Sequence, residues 1–208
     1  FKDPKATAAA IHDGWLYTGD IGVIDDNGYL RITDRKKHII ITAGGKNLAP
    51  ANIQNAIKAM DPLISHVFAH GDKRPFVSAL IAPSPLETLA FGQQLGLVTE
   101  AEIVERTAEL MAEPTARSEA LAKAMAPVTR NNAFQRRIQA AVAKGNHSLA
   151  QVEKVKRFAI IERDFSQEGG ELTPTMKVRR KNVETKYEEV IEQLYGVADS
   201  GLEPAAPA

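Results

Sequence analysis

Ile21-Gly22-Val23-Ile24-Asp25-Asp26-Asn27-Gly28-Tyr29-Leu30-Arg31-Ile32-Thr33-Asp34-Arg35-Lys36-Lys37-His38-Ile39-Ile40-Ile41-Thr42 is the stretch from which the fold of this 208-residue chain can be read. Strand-forming runs at 21–24 and 29–33 flank Asp25-Asp26-Asn27-Gly28. Asn-Gly between two such runs predicts a hairpin, because both residues tolerate positive φ. The charged residues 34–37 then form a plausible joint, and the apolar run 38–42 predicts a buried strand.

Beyond this stretch, Ala43-Gly44-Gly45-Lys46 leads to Pro50, which fits the first turn of a helix. Ile53, Ile57 and Met60 form an apolar stripe at helical spacing, and Asp61-Pro62 ends it. Strands are predicted over 64–70 and 76–82. The order strand, helix, strand, strand predicts an α+β fold, a small mixed sheet packed with helices and preceded by the hairpin. Three or four helices are expected between Ser84 and Lys144. Ser84-Pro85-Leu86-Glu87 and Thr99-Glu100-Ala101-Glu102 both have the form of capping boxes, Pro114 and Pro127 divide the Ala/Glu-rich stretch, and Phe134, Ile138 and Val142 recur every four residues. Gly145-Asn146 closes that block. A strand is expected over 157–162, a turn-rich loop over 166–175, and one final helix over 178–195 with Val183, Tyr187, Val190, Ile191 and Leu194 on one face. Glu188, Glu189 and Glu192 would fall in the second half of that helix, where the dipole disfavours negative charge. Residues 197–208 lack material for a core and are expected to be disordered.

Composition bounds the function only loosely. Hydrophobic residues make up 44% and charged residues 25%, and Lys+Arg equals Asp+Glu at 26 each. No overall field would draw the chain to nucleic acid, so any anion site must be local. The absence of cysteine excludes disulfides, thiolate metal sites and a cysteine nucleophile, and fits a reducing compartment. With no apolar run of membrane-spanning length and no basic-then-apolar start, a cytoplasmic protein is expected. The chain begins at Phe1, which suggests a piece of a longer protein. The five histidines form no metal-binding pattern, and no metal site is expected.

Four short pieces can carry chemistry. Asp20, after Tyr17-Thr18-Gly19, could accept hydrogen bonds from two adjacent hydroxyls, as on a ribose, and is equally ordinary turn chemistry. Arg35, Lys36 and Lys37 could meet phosphate, or be a solvated charge run. Gly44-Gly45 lets backbone approach a ligand, or makes a tight turn; it is not a G-x-x-x-x-G-K-[ST] phosphate loop. Lys177 follows Gly169-Gly170 and Pro174 on a loop able to move, and could stabilise charge developing on a carboxylate and a phosphate. A solvated lysine in the first turn of a helix is the plain alternative.

Gly14-Trp15-Leu16-Tyr17-Thr18-Gly19-Asp20, Gly28 through Lys37, Ala43-Gly44-Gly45-Lys46-Asn47-Leu48-Ala49-Pro50 and Leu172-Thr173-Pro174-Thr175-Met176-Lys177 resemble, in order, the carboxy-terminal core motifs of the AMP-forming acyl-CoA synthetase, peptide-synthetase adenylation and luciferase superfamily. The long segment before Lys177 and Glu153-Lys154-Val155-Lys156-Arg157-Phe158 look most like the long-chain fatty acyl-CoA synthetases.

The resemblance implies two half-reactions: a fatty acid carboxylate attacks the α-phosphate of ATP to give acyl-AMP, and CoA thiol then displaces AMP. It implies that Asp20 holds the ribose hydroxyls, Arg35 contacts ribose or phosphate, Lys177 assists adenylation, Lys37 is the hinge, and Gly44 and Gly45 lie beside the pantetheine channel. It divides the chain into 1–35, the end of a large nucleotide-binding domain, 36–196, a small mobile domain, and the tail. The amino-terminal domain, with its phosphate loop, acyl pocket and Mg site, would lie outside, so the isolated fragment is expected to be inactive. Peripheral membrane contact is compatible with a fatty acid substrate. Pro50-Ala51-Asn52-Ile53-Gln54 departs from the pattern, since many members are acidic in this helix. A ligase loading a carrier protein, or a non-catalytic interaction module of the same fold, are the alternatives.

Overall fold

The computed structural model describes residues 2–113 and 118–196, so the expected disorder of 197–208 and the dividing role of Pro114 lie outside the described residues. The chain opens with helix α1 (Pro4–Ala10) and a ribbon of β1 (Ile11–His12) and β2 (Trp15–Leu16). The hairpin follows as β3 (Asp20–Ile24) and β4 (Leu30–Arg35). The Asp25 carboxylate closes its turn by accepting from the N–H groups of Asn27 and Tyr29, both at 2.9 Å. Gly28 has φ +83°, a backbone conformation open to glycine at little cost. No described residue before Ile40 is buried, and Trp15 and Tyr29 are 76% and 73% exposed. The hairpin therefore has no core of its own.

The joint is a 3-10 turn, Lys36–His38, between extended Arg35 and Ile39. The buried strand expected over 38–42 is shorter than the sequence suggests: β5 (Ile40–Ile41) pairs with β6 (Asn47–Leu48) in a two-stranded ribbon. Side chains alternate faces along a strand, so Ile40 joins the core while Ile41 is 51% exposed. Helix α2 (Pro50–Lys58) starts at the proline and buries Ile53 and Ile57.

The core lies on both faces of a three-stranded mixed sheet, the α+β arrangement expected. β7 (Ile64–His70) pairs antiparallel with β8 (Val77–Pro83), and β8 pairs parallel with β9 (Val155–Ile160). Val67, Ala79 and Ile81 point to one face, where α2, α3 (Pro85–Gln94), α5 (Glu119–Thr129) and α6 (Asn132–Asn146) contribute Ile57, Leu89, Met125, Phe134 and Ile138. Phe68, Leu80 and Ala82 point to the other, against α7 (Arg180–Lys186) and α8 (Glu188–Gly196). Every residue of β8 is buried, as a central strand covered on both faces requires. Each fully buried phenylalanine or leucine contributes about 1.5–3 kcal/mol.

Among the described residues between Ser84 and Asn146 there are four helices, α4 (Glu100–Ala112) being the second. Thr99 forms the expected capping box with Glu102. Ser84 does not, because its N–H donates to the Leu63 carbonyl at 2.8 Å and is unavailable to Glu87. Pro127 lies inside the last turn of α5, and the division falls at Asn131, whose side chain caps α6. Gly145 is within α6, where a Cβ would come within 2.9 Å of Ala56 O and Ile57 Cα. Its role is the close crossing of α6 over α2. Asn146 then bonds the N–H and the carbonyl of Val155, both at 2.9 Å, fixing the start of β9.

The single helix expected over 178–195 is two helices. Tyr187 breaks it at φ −111°, ψ 22°, with its ring packed against Phe165 and its hydroxyl on Glu171. The break places Glu188 and Glu189 in the first turn of α8, where the dipole favours negative charge.

Candidate functional site

Asp20 and Arg35 are cross-strand partners in the hairpin, and Arg35 Nε donates to Asp20 Oδ1 at 2.7 Å. Both side chains are partly exposed, so the pair adds little stability. It does hold a guanidinium and a carboxylate side by side at the edge of a cleft.

That cleft, of about 1200 Å³, runs between the hairpin end, the β7–β8 turn and the segment from Thr173 into α7. Arg35, Lys37, Lys177, Arg179, Arg180 and Lys181 line it against only two carboxylates, Asp72 and Glu184. A neutral chain thus builds a local cationic site. His38 and His70 also line it. Burial, then Arg180, holds the pKa of His38 below its ordinary value; burial, then Arg74 and Arg180, does so for His70. Arg180 is held by the Ala69 carbonyl at 2.7 Å and stacks over Phe68, and burial lowers its pKa.

Lys177 lies three residues before α7, not in its first turn. Thr173 N–H donates to Lys177 O at 2.8 Å, Met176 N–H donates to Thr173 O at 2.8 Å, and Lys177 N–H donates to Thr173 Oγ1 at 3.0 Å. Met176 has φ +59°. This is a three-residue hairpin loop closed by a left-handed residue, and Leu172 bridges Val178 at its base. Thr173 spends its hydroxyl on the turn, while the Lys177 side chain is exposed, without a partner among the described residues. Beneath the loop Glu171, 2% exposed, meets Lys186, Tyr187 OH and the Ser166 N–H. Burial works to raise its pKa, but the Lys186 and backbone hydrogen bonds prevail and hold it below the ordinary value. The loop expected to be movable is anchored from below.

Gly44 and Gly45 do not line this cleft. They belong to the β5–β6 turn, in which Thr42 N–H donates to Lys46 O at 3.0 Å, Gly45 N–H donates to Thr42 O at 2.8 Å, and Lys46 N–H donates to Thr42 Oγ1 at 3.2 Å. Gly45 has φ +71°. A Cβ on either glycine would meet nothing closer than Thr42 Oγ1 at 3.9 Å. The structure thus brings Arg35, Lys37 and Lys177 together, sets Asp20 beside Arg35, and places the glycine pair elsewhere.

Sequence reasoning missed Asp34, His70 and Arg180. Asp34 was legible only as one charge in a charged run, and the other two depend on contacts more than 100 residues apart, Arg180 to Ala69 and His70 to Tyr195. Asn52, in the helix expected to depart from the acidic pattern, donates to Glu153 at 3.4 Å.

A family model described as the AMP-binding enzyme C-terminal domain matches residues 37–126 and 110–199. The chain is 40% identical over 208 residues to a provisionally named fatty-acid–CoA ligase, fadD11, of Mycobacterium tuberculosis, covering 99% of this chain and 32% of the relative. It is 37% identical over 195 residues to the long-chain-fatty-acid–CoA ligase FadD15 of the same organism, covering 94% of this chain and 29% of the relative. The chain thus spans less than a third of the curated relatives it matches first. Among solved structures, the adenylation domain of a carboxylate reductase from Mycobacterium chelonae superposes with a TM-score of 0.67 at 22% identity, over 95% of this chain and 26% of that one, a likeness of fold. From the two overlapping matches, which begin within the joint and run across the sheet and the helices from α2 to α8, the chain belongs to the AMP-binding enzyme C-terminal domain family.

Proposed function

We propose that this chain is the carboxy-terminal part of an AMP-forming fatty acid–CoA ligase, with residues 1–35 completing a large domain and 36–196 forming a small domain that turns about Lys37. The observation that carries the reading is that one cationic cleft collects Arg35, Lys37 and Lys177 and leaves Gly44-Gly45 outside it. The exposed apolar side chains of the hairpin, which need cover, support the division at residue 35.

In the adenylation step, Asp20 would accept from the ribose hydroxyls, with Arg35 on ribose or phosphate and Lys177 neutralising charge that develops as the carboxylate attacks the α-phosphate. In the thioester step, a turn about Lys37 would bring the glycine turn to the acyl-adenylate, where its small residues leave room for pantetheine. Among the described residues no three His, Asp or Glu converge to hold a metal ion. Action in the cytoplasm is part of the proposal, and the cysteine-free composition fits it. No described helix is long and apolar enough to cross a membrane.

In the full-length protein, Lys177→Ala is expected to abolish acid-dependent ATP–pyrophosphate exchange and to spare thioester formation from supplied acyl-AMP and CoA. Equal loss of both steps would count against a role confined to adenylation. Supplying a phosphopantetheinyl carrier in place of CoA tests the acceptor, and the purified 208 residues are expected to form no acyl-AMP.

A further inference from the structure

Asp34 is the last residue but one of the hairpin, next to Arg35, and in this largely exposed ribbon its side chain is only 5% exposed. Its Oδ2 accepts the N–H of Ala51, in the first turn of α2, at 3.0 Å, and its Oδ1 accepts the N–H of Arg35 at 2.6 Å. The first N–H groups of a helix have no partner within it and carry the positive end of its dipole. Ala49, at the N-cap of α2, offers no side-chain acceptor. Asp34 therefore caps α2 from another element, and that hydrogen bonding is what makes a buried carboxylate tolerable.

Two further groups face the same carboxylate. His38 Nδ1, in the 3-10 turn, lies 4.0 Å from Oδ1. The charge of Asp34 also favours the charged form of Arg180, which opens α7 three residues after Lys177. The hairpin, the joint and α2 thus meet at one side chain, and Lys37 lies in the chain between the two residues of the Asp34–Ala51 bond.

We propose that Asp34 is a positioning residue: a carboxylate latch that seats the hairpin on α2 and so keeps Arg35 and Lys177 on one cleft. The proposal rests on the adenylation reading above. A turn about Lys37 that carries Lys177 away from Arg35 breaks the Asp34–Ala51 bond and hands both groups to water. The latch therefore weights one orientation of the small domain and takes no part in the chemistry.

The test uses the full-length protein. Asp34→Ala is expected to lower ATP–pyrophosphate exchange about tenfold, the size of an ordinary conformational coupling, while thioester formation from supplied acyl-AMP stays within about twofold. Nitroxide labels on cysteines introduced at Asn27 and Thr175 read the orientation without chemistry. Their distance distribution should be unchanged by Lys177→Ala and broadened or shifted by Asp34→Ala. If Lys177→Ala loses exchange but the labels stay put in Asp34→Ala, the latch is overturned and the adenylation reading stands. If the labels move in Asp34→Ala while Lys177→Ala exchanges normally, the latch stands and the adenylation reading falls. Should Asp34→Ala show no cooperative unfolding transition, Asp34→Leu, which fills the space but offers the Ala51 N–H no acceptor, carries the same comparison. Unmoved labels in that variant also overturn the proposal.

Discussion

Lys46 and Lys177 leave two turns of the same form. In each, a threonine four residues earlier pairs its backbone with the lysine and its hydroxyl oxygen accepts the lysine N–H, and a left-handed residue stands just before the lysine. One lysine ends the glycine turn and the other lines the cationic cleft. The two turns differ in the left-handed residue, Gly45 at φ +71° and Met176 at φ +59°.

That difference makes a stability prediction. A left-handed residue with a Cβ costs roughly 1–2 kcal/mol, which glycine avoids. Met176→Gly should therefore raise the midpoint of chemical unfolding, less whatever the Gln167 contact with Met176 Sδ contributes. Gly45→Ala should lower it by a comparable amount, although its Cβ would meet no neighbour. Equal midpoints for both variants would refute a left-handed strain at these sites.

Thr173 is expected to matter more to function than to stability. Thr173→Val removes the acceptor of the Lys177 N–H, which water can replace at this exposed site, so the loss of stability should be at most about 1 kcal/mol. On the adenylation role proposed for Lys177, pyrophosphate exchange should fall about tenfold, because misplacing a group that acts in the transition state is expensive. Thr175→Val, which loses only the 3.1 Å contact with Thr173 Oγ1, serves as the comparison and should have a smaller effect.

Glu171 links the anchoring of this loop to pH. Its folded pKa lies below its ordinary value, so folding favours the ionised carboxylate. The stabilisation is complete above the unfolded pKa of about 4.3 and is lost as pH falls through the lower folded value. Glu171→Gln should be less stable than the unaltered protein at pH 7, with the difference narrowing in acid unfolding. A constant difference across that window would remove the assignment.

The two candidate capping boxes should separate cleanly. Thr99→Ala is expected to cost about 1 kcal/mol, as loss of a bonded cap does. Ser84→Ala should cost a few tenths at most, since Ser84 makes no cap bond and its N–H stays on Leu63. Urea unfolding of the two variants decides.

Much of the fold was legible because its signals are local. Asn27-Gly28 placed the hairpin, Pro50 opened α2, and the apolar runs of β7 and β8 stood where the sequence put them. The errors fell where a distant partner overrode a local preference. Leu63 took the N–H that Ser84 needed for a capping box, and Tyr187, partly buried against Phe165 and Glu171, broke a continuous helical pattern.

By itself the sequence determined the inventory: a cysteine-free chain of balanced charge, a hairpin, a joint, a small sheet with helices, and four pieces carrying Asp20, Arg35, Lys37, the glycine pair and Lys177. Only the tertiary structure decided which of these meet. Residue types and turn signals depend on neighbours a few positions away, whereas the cleft that joins Arg35 to Lys177, and the bond from Asp34 to Ala51, arise from elements brought together by packing on the two faces of one sheet.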